Sequence, residues 1–254
     1  MSFANQRYLV TGASSGIGRA TALALAEAGA IVLASGTNTE KLAETLGLLQ
    51  KTSLDKDVQH QIVPFDLANV DAIADWVKAL KAEHGDLAGL AHCAGVQVTK
   101  TIRQFDVEFF DQIMQQNLAS AFALCKGFRH KRDRKIPASI VYVSSVGAFI
   151  GQPANTVYGA SKAGLISASK GLAMELIREN IRVNCVAPAL VNTAMAQHTE
   201  ANMTQAQFAN ILANHPMGIG EPEDVAHAIR FLLSSDAKWI NGVCLPVDGG
   251  YLAQ

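Results

Sequence analysis

A tyrosine and a lysine stand four residues apart in this chain, at Tyr158 and Lys162. In a helix, residues at this spacing share one face, so the phenol and the ammonium would project together. A phenol is a poor acid at neutral pH because its pKa is about 10. A nearby ammonium favours the phenolate and lowers that pKa, which brings the tyrosine nearer the range of efficient proton transfer. The pair therefore predicts acid–base chemistry at Tyr158.

A glycine-rich turn near the start of the chain could hold a phosphate-bearing ligand. Three glycines, Gly12, Gly16 and Gly18, follow the first apolar segment and open a helical pattern. A pyrophosphate needs backbone N–H donors at close range, and a helix N-terminus supplies them together with a favourable dipole. Glycine allows that close approach. The alternative is a structural turn with no ligand, since glycine motifs give false positives.

Short apolar segments alternate with longer helical patterns along the whole chain. Such alternation forces parallel strand pairing through right-handed crossovers, so we predict an α/β fold, a single-domain doubly wound (Rossmann-type) parallel sheet of about seven strands with helices on both faces. The predicted strands are residues 8–10, 31–35, 61–65, 87–93, 139–144, 182–187 and 242–247. The predicted helices are residues 16–28, 39–51, 70–84, 106–128, 155–178 and 223–233.

No linker or repeat divides the 254 residues, which predicts one domain over residues 1–254. The polar stretch 193–219 interrupts the alternation. A connection of that length is often a binding element, so we predict a substrate lid there, the alternative being an ordinary surface excursion.

Composition excludes several classes of function. Hydrophobic residues make up 49% and charged residues 17% of the chain, as in a globular protein, and a formal net charge of −1 gives no reason to expect nucleic acid or an anionic membrane as partner. The four cysteines have no metal-ligand spacing, so we predict no metal site. Without a signal-like start or a stretch of about 18 apolar residues, the predicted location is the cytoplasm.

Several separated motifs together resemble the short-chain dehydrogenase/reductase family. Besides the glycine turn and the Tyr158–Lys162 pair, they are Ser144 and Ser145, Asn117, the stretch from Asn184 to Pro188, and the ending Val247-Asp248-Gly249-Gly250. The resemblance covers nearly the whole chain. It implies an NAD(P)-dependent enzyme that interconverts a carbonyl and a secondary alcohol.

The same resemblance implies a catalytic tetrad of Asn117, Ser145, Tyr158 and Lys162. Ser145 is favoured over Ser144 because the family usually places its serine thirteen residues before the tyrosine. Ser145 would bind the substrate oxygen, Tyr158 would exchange a proton with it, Lys162 would bind the nicotinamide ribose and tune the phenol, and Asn117 would hold a water that connects Lys162 to solvent.

Further residues are implied as cofactor contacts. The implied set is Gly12, Ser14, Ser15, Gly16, Ile17, Gly18, Gly36, Thr37, Asp66, Leu67, Cys93, Ala94, Gly95, Tyr158, Lys162, Pro188, Val191 and Thr193. Two positions depart from the family pattern. His92-Cys93 stands where the family often has Asn-Asn, and Ala189 stands where it has glycine. We interpret His92 as a histidine that packs and hydrogen-bonds at a strand end.

The choice between NAD and NADP depends on the end of the second predicted strand. NAD-binding proteins usually carry an acid there, which binds the ribose 2′-hydroxyl, whereas this chain has Gly36 and Thr37. Glu40 lies close, but residues 37–40 fit a capping box that would occupy it. We therefore predict NADP(H) over NAD(H), although the arginine common in NADP-binding proteins is absent from these positions.

Within the family the pattern is most similar to bacterial 3-oxoacyl-[acyl-carrier-protein] reductases, which implies a step of fatty acid biosynthesis. The substrate would be a 3-oxoacyl thioester, and residues 130–135 could supply a basic landing site for its carrier protein, the alternative being a solvated loop. Glu179 lies where carrier-dependent relatives often have a basic residue. Predicted pocket residues are Phe149, Ile150, Gln152, Val191 and Met195. The resemblance also implies a homo-oligomer, most often a tetramer.

Two other functions remain open at this point. One is oxidoreduction of a small free ketone, alcohol, sugar or steroid, because an apolar lining does not identify a ligand. The other is a dinucleotide-binding protein without catalysis. Such proteins commonly lack the tyrosine or the lysine, and this chain keeps both.

Overall fold

A seven-stranded, all-parallel sheet forms the centre of the protein in a computed structural model, which describes residues 3–53, 55, 57–131, 133, 136–201 and 204–254. The strands lie in the order β3-β2-β1-β4-β5-β6-β7. Their bounds are β1 Arg7–Thr11, β2 Ile31–Ala34, β3 Gln61–Ile62, β4 Leu87–His92, β5 Ala138–Val143, β6 Ile181–Pro188 and β7 Cys244–Val247. The predicted fold class is thereby confirmed.

Helices cover both faces of the sheet, α1 packing on α9 and α3 on α5. The helices are α1 Gly16–Glu27, α2 Thr39–Thr52, α3 Val70–His84, α4 Val107–Met114, α5 Ser120–Arg129, α6 Thr156–Glu175, α7 Ala194–Ala201, α8 Gln205–Ala213 and α9 Pro222–Leu233. Within the part of the chain that the structure describes, none of these helices is long and apolar enough to cross a membrane.

Alternation along the central strand β1 divides the core into two layers. Tyr8 and Val10 belong to the apolar cluster that contains Leu25 of α1, whereas Leu9 belongs to the cluster that contains Val77 of α3. Successive side chains of a strand point to opposite faces, so an apolar run of this kind is buried on both sides. The two layers hold the strand ends in fixed positions.

The order of the strands reverses between β1 and β4. From β1 the chain proceeds to β2 and β3 on one side, then crosses to β4 on the other. In open parallel sheets, ligands bind in the crevice beyond the carboxyl ends of the strands at such a reversal. Thr11, His92 and Pro188 end three strands at this edge.

Two predicted elements differ from the structure because the backbone breaks its regular pattern. The strand predicted over residues 61–65 ends at Ile62, because Pro64 has no N–H to give the ladder, although Val63 and Phe65 still donate to the carbonyls of Ala34 and Gly36. The single helix predicted over residues 106–128 is α4 and α5 joined by a π-helical turn, Gln115–Ala119. This turn carries Asn117.

The stretch 193–219 contains the two short helices α7 and α8. Thr204 caps α8 and forms a capping box with Gln207. A parallel bridge between Val191 and Gly220 brings the two ends of the stretch together, so the stretch leaves the body of the protein and returns to it at one point.

Candidate active site

Tyr158 and Lys162 lie on the first turns of α6 and line one cavity. Lys162 is only 4% exposed, and its Nζ donates to the carbonyl of Val143 at 2.9 Å. The same Nζ lies 5.7 Å from the centre of the Tyr158 ring. The helical spacing thus brings the phenol and the ammonium to one place, as the sequence predicts.

Burial controls the protonation of both groups. It lowers the pKa of Lys162 from 10.5 to about 8, because a buried ammonium loses its hydration. Burial also raises the pKa of Tyr158, an effect partly opposed by the hydrogen bond with Ser145. The expectation that the ammonium lowers the pKa of the phenol is therefore wrong for this arrangement. The nitrogen is directed to the Val143 carbonyl, and desolvation of the phenolate dominates.

The two adjacent serines have different surroundings. The hydroxyl of Ser144 is buried and donates to the carbonyl of Lys162 at 2.8 Å, which ties the end of β5 to α6. Both serines line the cavity that holds Tyr158, but the hydroxyl of Ser145 is not committed to α6, and its Oγ accepts from the N–H of Gly147 at 3.1 Å. Ser145 is thus the serine that can meet a ligand, and Ser144 holds the helix that carries the lysine.

Asn117 is fully buried in the π-helical turn. Its Oδ1 accepts from the N–H of Val96 at 2.8 Å, and its Nδ2 donates to the carbonyl of Val96 at 2.9 Å and to Ser161 Oγ at 3.0 Å. The amide therefore fastens the segment after β4 to α6. That Asn117 also holds a water stays a prediction.

A cavity of about 460 Å³ lies beyond the carboxyl ends of β1, β2 and β4. The glycine turn forms one wall, and α1 begins there with Ser15 as N-cap, which makes no side-chain capping bond and leaves the first amides of the helix to the cavity. The first turn of α1 has no acidic residue. These features fit an anionic pyrophosphate.

Glycine is required at this wall for steric reasons. Gly12 has φ +68°, and a Cβ there would lie 2.8 Å from the nitrogen of Ala94. A Cβ at Gly18 would lie 2.2 Å from the carbonyl oxygen of Gly12, closer than atoms can approach. The turn, the helix and the segment after β4 therefore pack backbone to backbone. This is the close approach that a dinucleotide cradle needs.

A second cavity, of about 250 Å³, adjoins the first. Five residues line both cavities: Ile17, Cys93, Gly95, Thr193 and Met195. We call residues 93–95 the shared wall. The hydroxyls of Ser145 and Tyr158 thus lie in a cavity that adjoins the cradle, so ligands in the two cavities would lie side by side.

The structure brings nearly all the predicted site residues to these two cavities. Those in the first are Gly12, Ser14, Ser15, Gly16, Ile17, Gly18, Gly36, Thr37, Asp66, Leu67, Cys93, Ala94, Gly95 and Thr193. Those in the second include Ser145, Tyr158, Lys162, Pro188, Val191 and Thr193. Asn117 lies behind the shared wall.

Some residues of the second cavity differ from those predicted. Gln152, Val191 and Met195 line the second cavity, whereas Phe149 and Ile150 do not, and Phe149 is half exposed. The short 3₁₀ turn after Ser145 directs residues 149 and 150 away. Residues that the sequence did not single out also line it: Gln97, Asn155, Ile211, Asn214, His215 and Tyr251. They come from distant segments, and no local motif marks them.

The start of α2 also differs from its predicted form. Its N-cap is Asn38, whose Oδ1 accepts from the N–H of Lys41 at 2.8 Å, so the capping box predicted from Thr37 to Glu40 is wrong. Asn38 reaches the amide of Lys41 and makes the cap alone. Glu40 is exposed and does not line the first cavity, while Gly36 and Thr37 do.

Comparison with known proteins agrees with this geometry. A family model described as enoyl-(acyl carrier protein) reductase matches residues 12–252. The chain is a member of the short-chain dehydrogenase/reductase family. It is therefore an oxidoreductase of the carbonyl/alcohol type, in a family whose members bind NAD(P).

Individual relatives extend over almost the whole chain. The 3-oxoacyl-[acyl-carrier-protein] reductase FabG of Haemophilus influenzae is 38% identical over 244 residues, 95% of this chain and 96% of the relative. FabG of Escherichia coli is 33% identical over 254 residues, covering 98% of each chain.

Solved structures of the family superpose closely on this chain. A short-chain dehydrogenase/reductase of Mycobacterium ulcerans has a TM-score of 0.91 at 32% identity, over 100% of this chain and 92% of that one. A protein of Beutenbergia cavernae, provisionally assigned as an NAD(P)-dependent gluconate 5-dehydrogenase and crystallised with NADP at low occupancy, has a TM-score of 0.91 at 31% identity, over 100% and 99%.

His92, the first departure from the family pattern, is 1% exposed at the end of β4. Burial, with a contribution from the charge of Lys162, lowers its pKa to about 3, so the ring is neutral at physiological pH. Its Nδ1 meets Thr11 and its Nε2 meets Ser120. In this short-chain dehydrogenase/reductase the histidine is thus packed and hydrogen-bonded, as predicted from its position at the end of a strand.

Proposed function

We propose that this enzyme reduces a 3-oxoacyl thioester to the 3-hydroxyacyl thioester with NADPH. The observation that carries the proposal is the convergence of Ser145, Tyr158 and Lys162 in a cavity that adjoins the glycine cradle. Relatives named 3-oxoacyl-[acyl-carrier-protein] reductase, which match over nearly the full length, support this substrate class.

Each catalytic side chain has a role that its surroundings support. The hydroxyl of Ser145 donates a hydrogen bond to the ketone oxygen and orients that oxygen toward Tyr158. Tyr158 gives that oxygen its phenolic proton as the carbonyl carbon is reduced, and a buried phenol with a raised pKa keeps this proton until it is needed. A bound nicotinamide supplies the hydride.

Lys162 and Asn117 support these groups. The buried Lys162 ammonium lies near Gly95, where an added Cβ would lie 3.1 Å from Nζ, so it can reach a ribose hydroxyl at the shared wall. Asn117 holds Val96 by two hydrogen bonds and thereby fixes the wall itself. In this proposal the four residues form one unit, in which Tyr158 transfers the proton, Ser145 orients the ketone oxygen, and Lys162 and Asn117 support the cofactor side of the site.

The substrate class is tested with acetoacetyl-CoA, which we expect the enzyme to reduce. With NADPH in excess, we expect NADPH absorbance to fall and 3-hydroxybutyryl-CoA to form. A panel of free ketones is the comparison. Turnover of one of these with none of the thioester would contradict the proposal.

NADPH is proposed as the preferred cofactor because no acid stands at the ribose position. Gly36 and Thr37 line the cradle beside Ser14 and Ser15, and the carboxylate of Glu40 is elsewhere. A 2′-phosphate there meets hydroxyls and backbone rather than a negative charge. The lining of the cradle therefore favours a 2′-phosphate, because it lacks the acid that would select a free 2′-hydroxyl.

The cofactor preference should reverse when an acid is introduced at Gly36. A Cβ at Gly36 would lie 3.4 Å from Ser14 Oγ, which the hydroxyl can accommodate. We expect the wild type to have at least about tenfold higher kcat/KM for NADPH than for NADH. We expect Gly36→Asp to lower this ratio by about 100-fold, through repulsion of the phosphate and a hydrogen bond to the 2′-hydroxyl. A wild type that prefers NADH would overturn the assignment.

A polar free ketone is the second candidate substrate, favoured by the lining of the second cavity. Gln97 Nε2 donates to Asn155 Oδ1 at 3.3 Å, and Gln152 lies next to Asn155 in the same wall. Such carboxamides can bind the hydroxyls of a sugar acid. The likeness to a protein provisionally assigned as a gluconate 5-dehydrogenase supports including 5-ketogluconate in the ketone panel.

Delivery of the thioester by an acyl carrier protein is the extension of the leading proposal. The candidate landing site is residues 130–135, of which Arg132, Arg134 and Lys135 lie outside the described residues. Arg129, at the end of α5, is bound by the carboxylate of Glu179, with Nε 3.0 Å from Oε1. That pairing weakens what Arg129 could contribute to the attraction of an acidic carrier.

Two further features complete the proposal. Thr193 and Met195, together with Ile211 and His215, line the second cavity from the two ends of the stretch 193–219, which supports its role as a lid.

Exposed apolar side chains on and before α4 and α5 support a homo-oligomer, proposed as a tetramer, in which this face is covered. They are Ile102, Phe105, Val107, Phe110 and Phe122.

A further inference from the structure

His92 connects two parts of the site that are remote in sequence. Its Nδ1 lies 2.8 Å from Thr11 Oγ1 at the end of β1, and its Nε2 lies 3.3 Å from Ser120 Oγ at the start of α5. All three side chains are buried, each 1% exposed or less. A buried polar group in such a place must be satisfied by specific partners rather than by bulk water.

The neighbouring hydrogen bonds fix the direction of each link. Ser120 Oγ donates its single proton to the carbonyl of Gln116 at 2.7 Å, so toward His92 it can only accept. His92 therefore carries its proton on Nε2. Its Nδ1 then accepts a hydrogen bond from the hydroxyl of Thr11. The Thr11 oxygen in turn accepts one from the N–H of Ala94 at 3.3 Å.

The result is a directional chain from the amide of Ala94 through Thr11, His92 and Ser120 to the carbonyl of Gln116. Every donor in it meets an acceptor only when the imidazole is neutral. A pKa of about 3, set by burial, keeps it neutral throughout the physiological range. Protonation would place a second proton on Nδ1 against the Thr11 hydrogen.

Both ends of this chain lie at the candidate active site. Ala94 belongs to the shared wall, and its nitrogen packs against Gly12 of the cradle. Gln116 lies in the π-helical turn and lines the first cavity beside the wall. Asn117, the next residue, binds Val96 just after the wall.

We propose that His92 is a positioning residue that holds the shared wall and the π-helical turn in register, and so sets the shape of the nucleotide cradle. The wall has two attachments to the turn, the Asn117 amide at Val96 and the histidine chain at Ala94. With one attachment lost, the wall can rotate about the other. The effect of His92 on turnover rests on the proposed function, whereas its effect on the affinity for NADPH is measured without a substrate.

The test removes the hydrogen bond between His92 and Ser120 by changing either partner. In His92→Asn the amide oxygen can replace Nδ1 as acceptor for Thr11, but the shorter side chain does not reach Ser120. In Ser120→Ala the histidine stays and its partner is removed. Titration with NADPH, followed by its fluorescence, should give a Kd about five- to tenfold above wild type for each variant, the effect of a lost buried hydrogen bond. The double variant should be no weaker than either single one, because both remove the same link.

His60 provides the matched control. Like His92, it is buried and hydrogen-bonded through both ring nitrogens. Its Nδ1 accepts from the backbone N–H of Val32, and its Nε2 meets the hydroxyl of Ser53. It lies before β3, away from the carboxyl edge of the sheet. We expect His60→Asn to lower Tm and leave the Kd for NADPH within twofold of wild type.

Three results would overturn the proposal. The first is a Kd for NADPH within twofold of wild type in His92→Asn together with a lowered Tm, which would make the histidine structural only. The second is a double variant whose Kd is the product of the two single effects. The third is a wild type that binds neither NADPH nor NADH. A protein that shows the expected Kd pattern but reduces no thioester would instead contradict the proposed function alone.

Discussion

Replacing Tyr158 with phenylalanine is expected to lower kcat about 10²–10⁴-fold, the usual effect of removing a positioned acid. The phenolic hydroxyl is the proton donor in the proposed reaction, and it lines the cavity with Ser145. The ring remains, so packing in the second cavity is kept. The Kd for NADPH should stay within about twofold of wild type, because the phenol is not needed to seat the dinucleotide. Stopped-flow turnover and a fluorescence titration give the two quantities.

Tyr8→Phe is the matched control for this substitution. Tyr8 is a buried tyrosine of β1 whose hydroxyl donates to Gln6 at 2.9 Å, remote from both cavities. Its loss should leave kcat unchanged. Wild-type turnover in Tyr158→Phe would show that another group donates the proton, and the catalytic assignment would then be abandoned.

Replacing Lys162 with methionine should have opposite effects on activity and stability. Turnover should fall by at least about 10²-fold, because the ammonium proposed to bind the nicotinamide ribose at the shared wall is lost. The folded protein should nevertheless become more stable at pH 7. A fall in the pKa of Lys162 from 10.5 to about 8 corresponds to a cost of about 3 kcal/mol for keeping the ammonium buried. Methionine removes this cost but leaves the Val143 carbonyl without its donor, which takes back about 1–2 kcal/mol.

The sign of the effect can be checked against pH. Between pH 8 and 10.5 the unfolded chain binds a proton at Lys162 that the folded protein has lost, so the stability of the wild type gains a contribution as pH rises through this window. Lys162→Met should lack that rise. At pH 7 its Tm should be about 2–6 °C above wild type.

Lys170→Met is the control, since Lys170 is an exposed lysine two turns further along α6. It should change neither kcat nor the pH dependence of Tm. A lower Tm for Lys162→Met at pH 7 would mean that the buried ammonium stabilises the fold through its hydrogen bond more than desolvation destabilises it.

Local patterns in the sequence were sufficient to predict the sheet and the face of α6 that carries Tyr158 and Lys162. Strands buried on both sides are nearly continuous in apolar residues, and a four-residue spacing on a helix depends on no other part of the fold. The cradle was predictable for a similar reason, because Gly12 and Gly18 are close in sequence and their contact is local.

Other features depend on contacts between distant segments and could not be derived locally. The helix pattern over residues 106–128 carries no proline or glycine at Asn117, so its π-helical turn is visible only through the bonds of Asn117 to Val96 and Ser161. The rise in the pKa of Tyr158 comes from burial, which depends on how distant segments pack around the second cavity. Gln97, His215 and Tyr251 join one cavity only because the chain returns there from different strands.

The shared wall has a thermodynamic consequence for the order in which ligands bind. Cys93 and Gly95 face both cavities, so a ligand that changes the position of either residue changes the free energy of occupying the neighbouring chamber. Reciprocity then requires that the dinucleotide alter the affinity for the carbonyl compound by the same factor as the carbonyl compound alters that for the dinucleotide. A ligand-induced shift of the shared wall would thereby couple the two binding events.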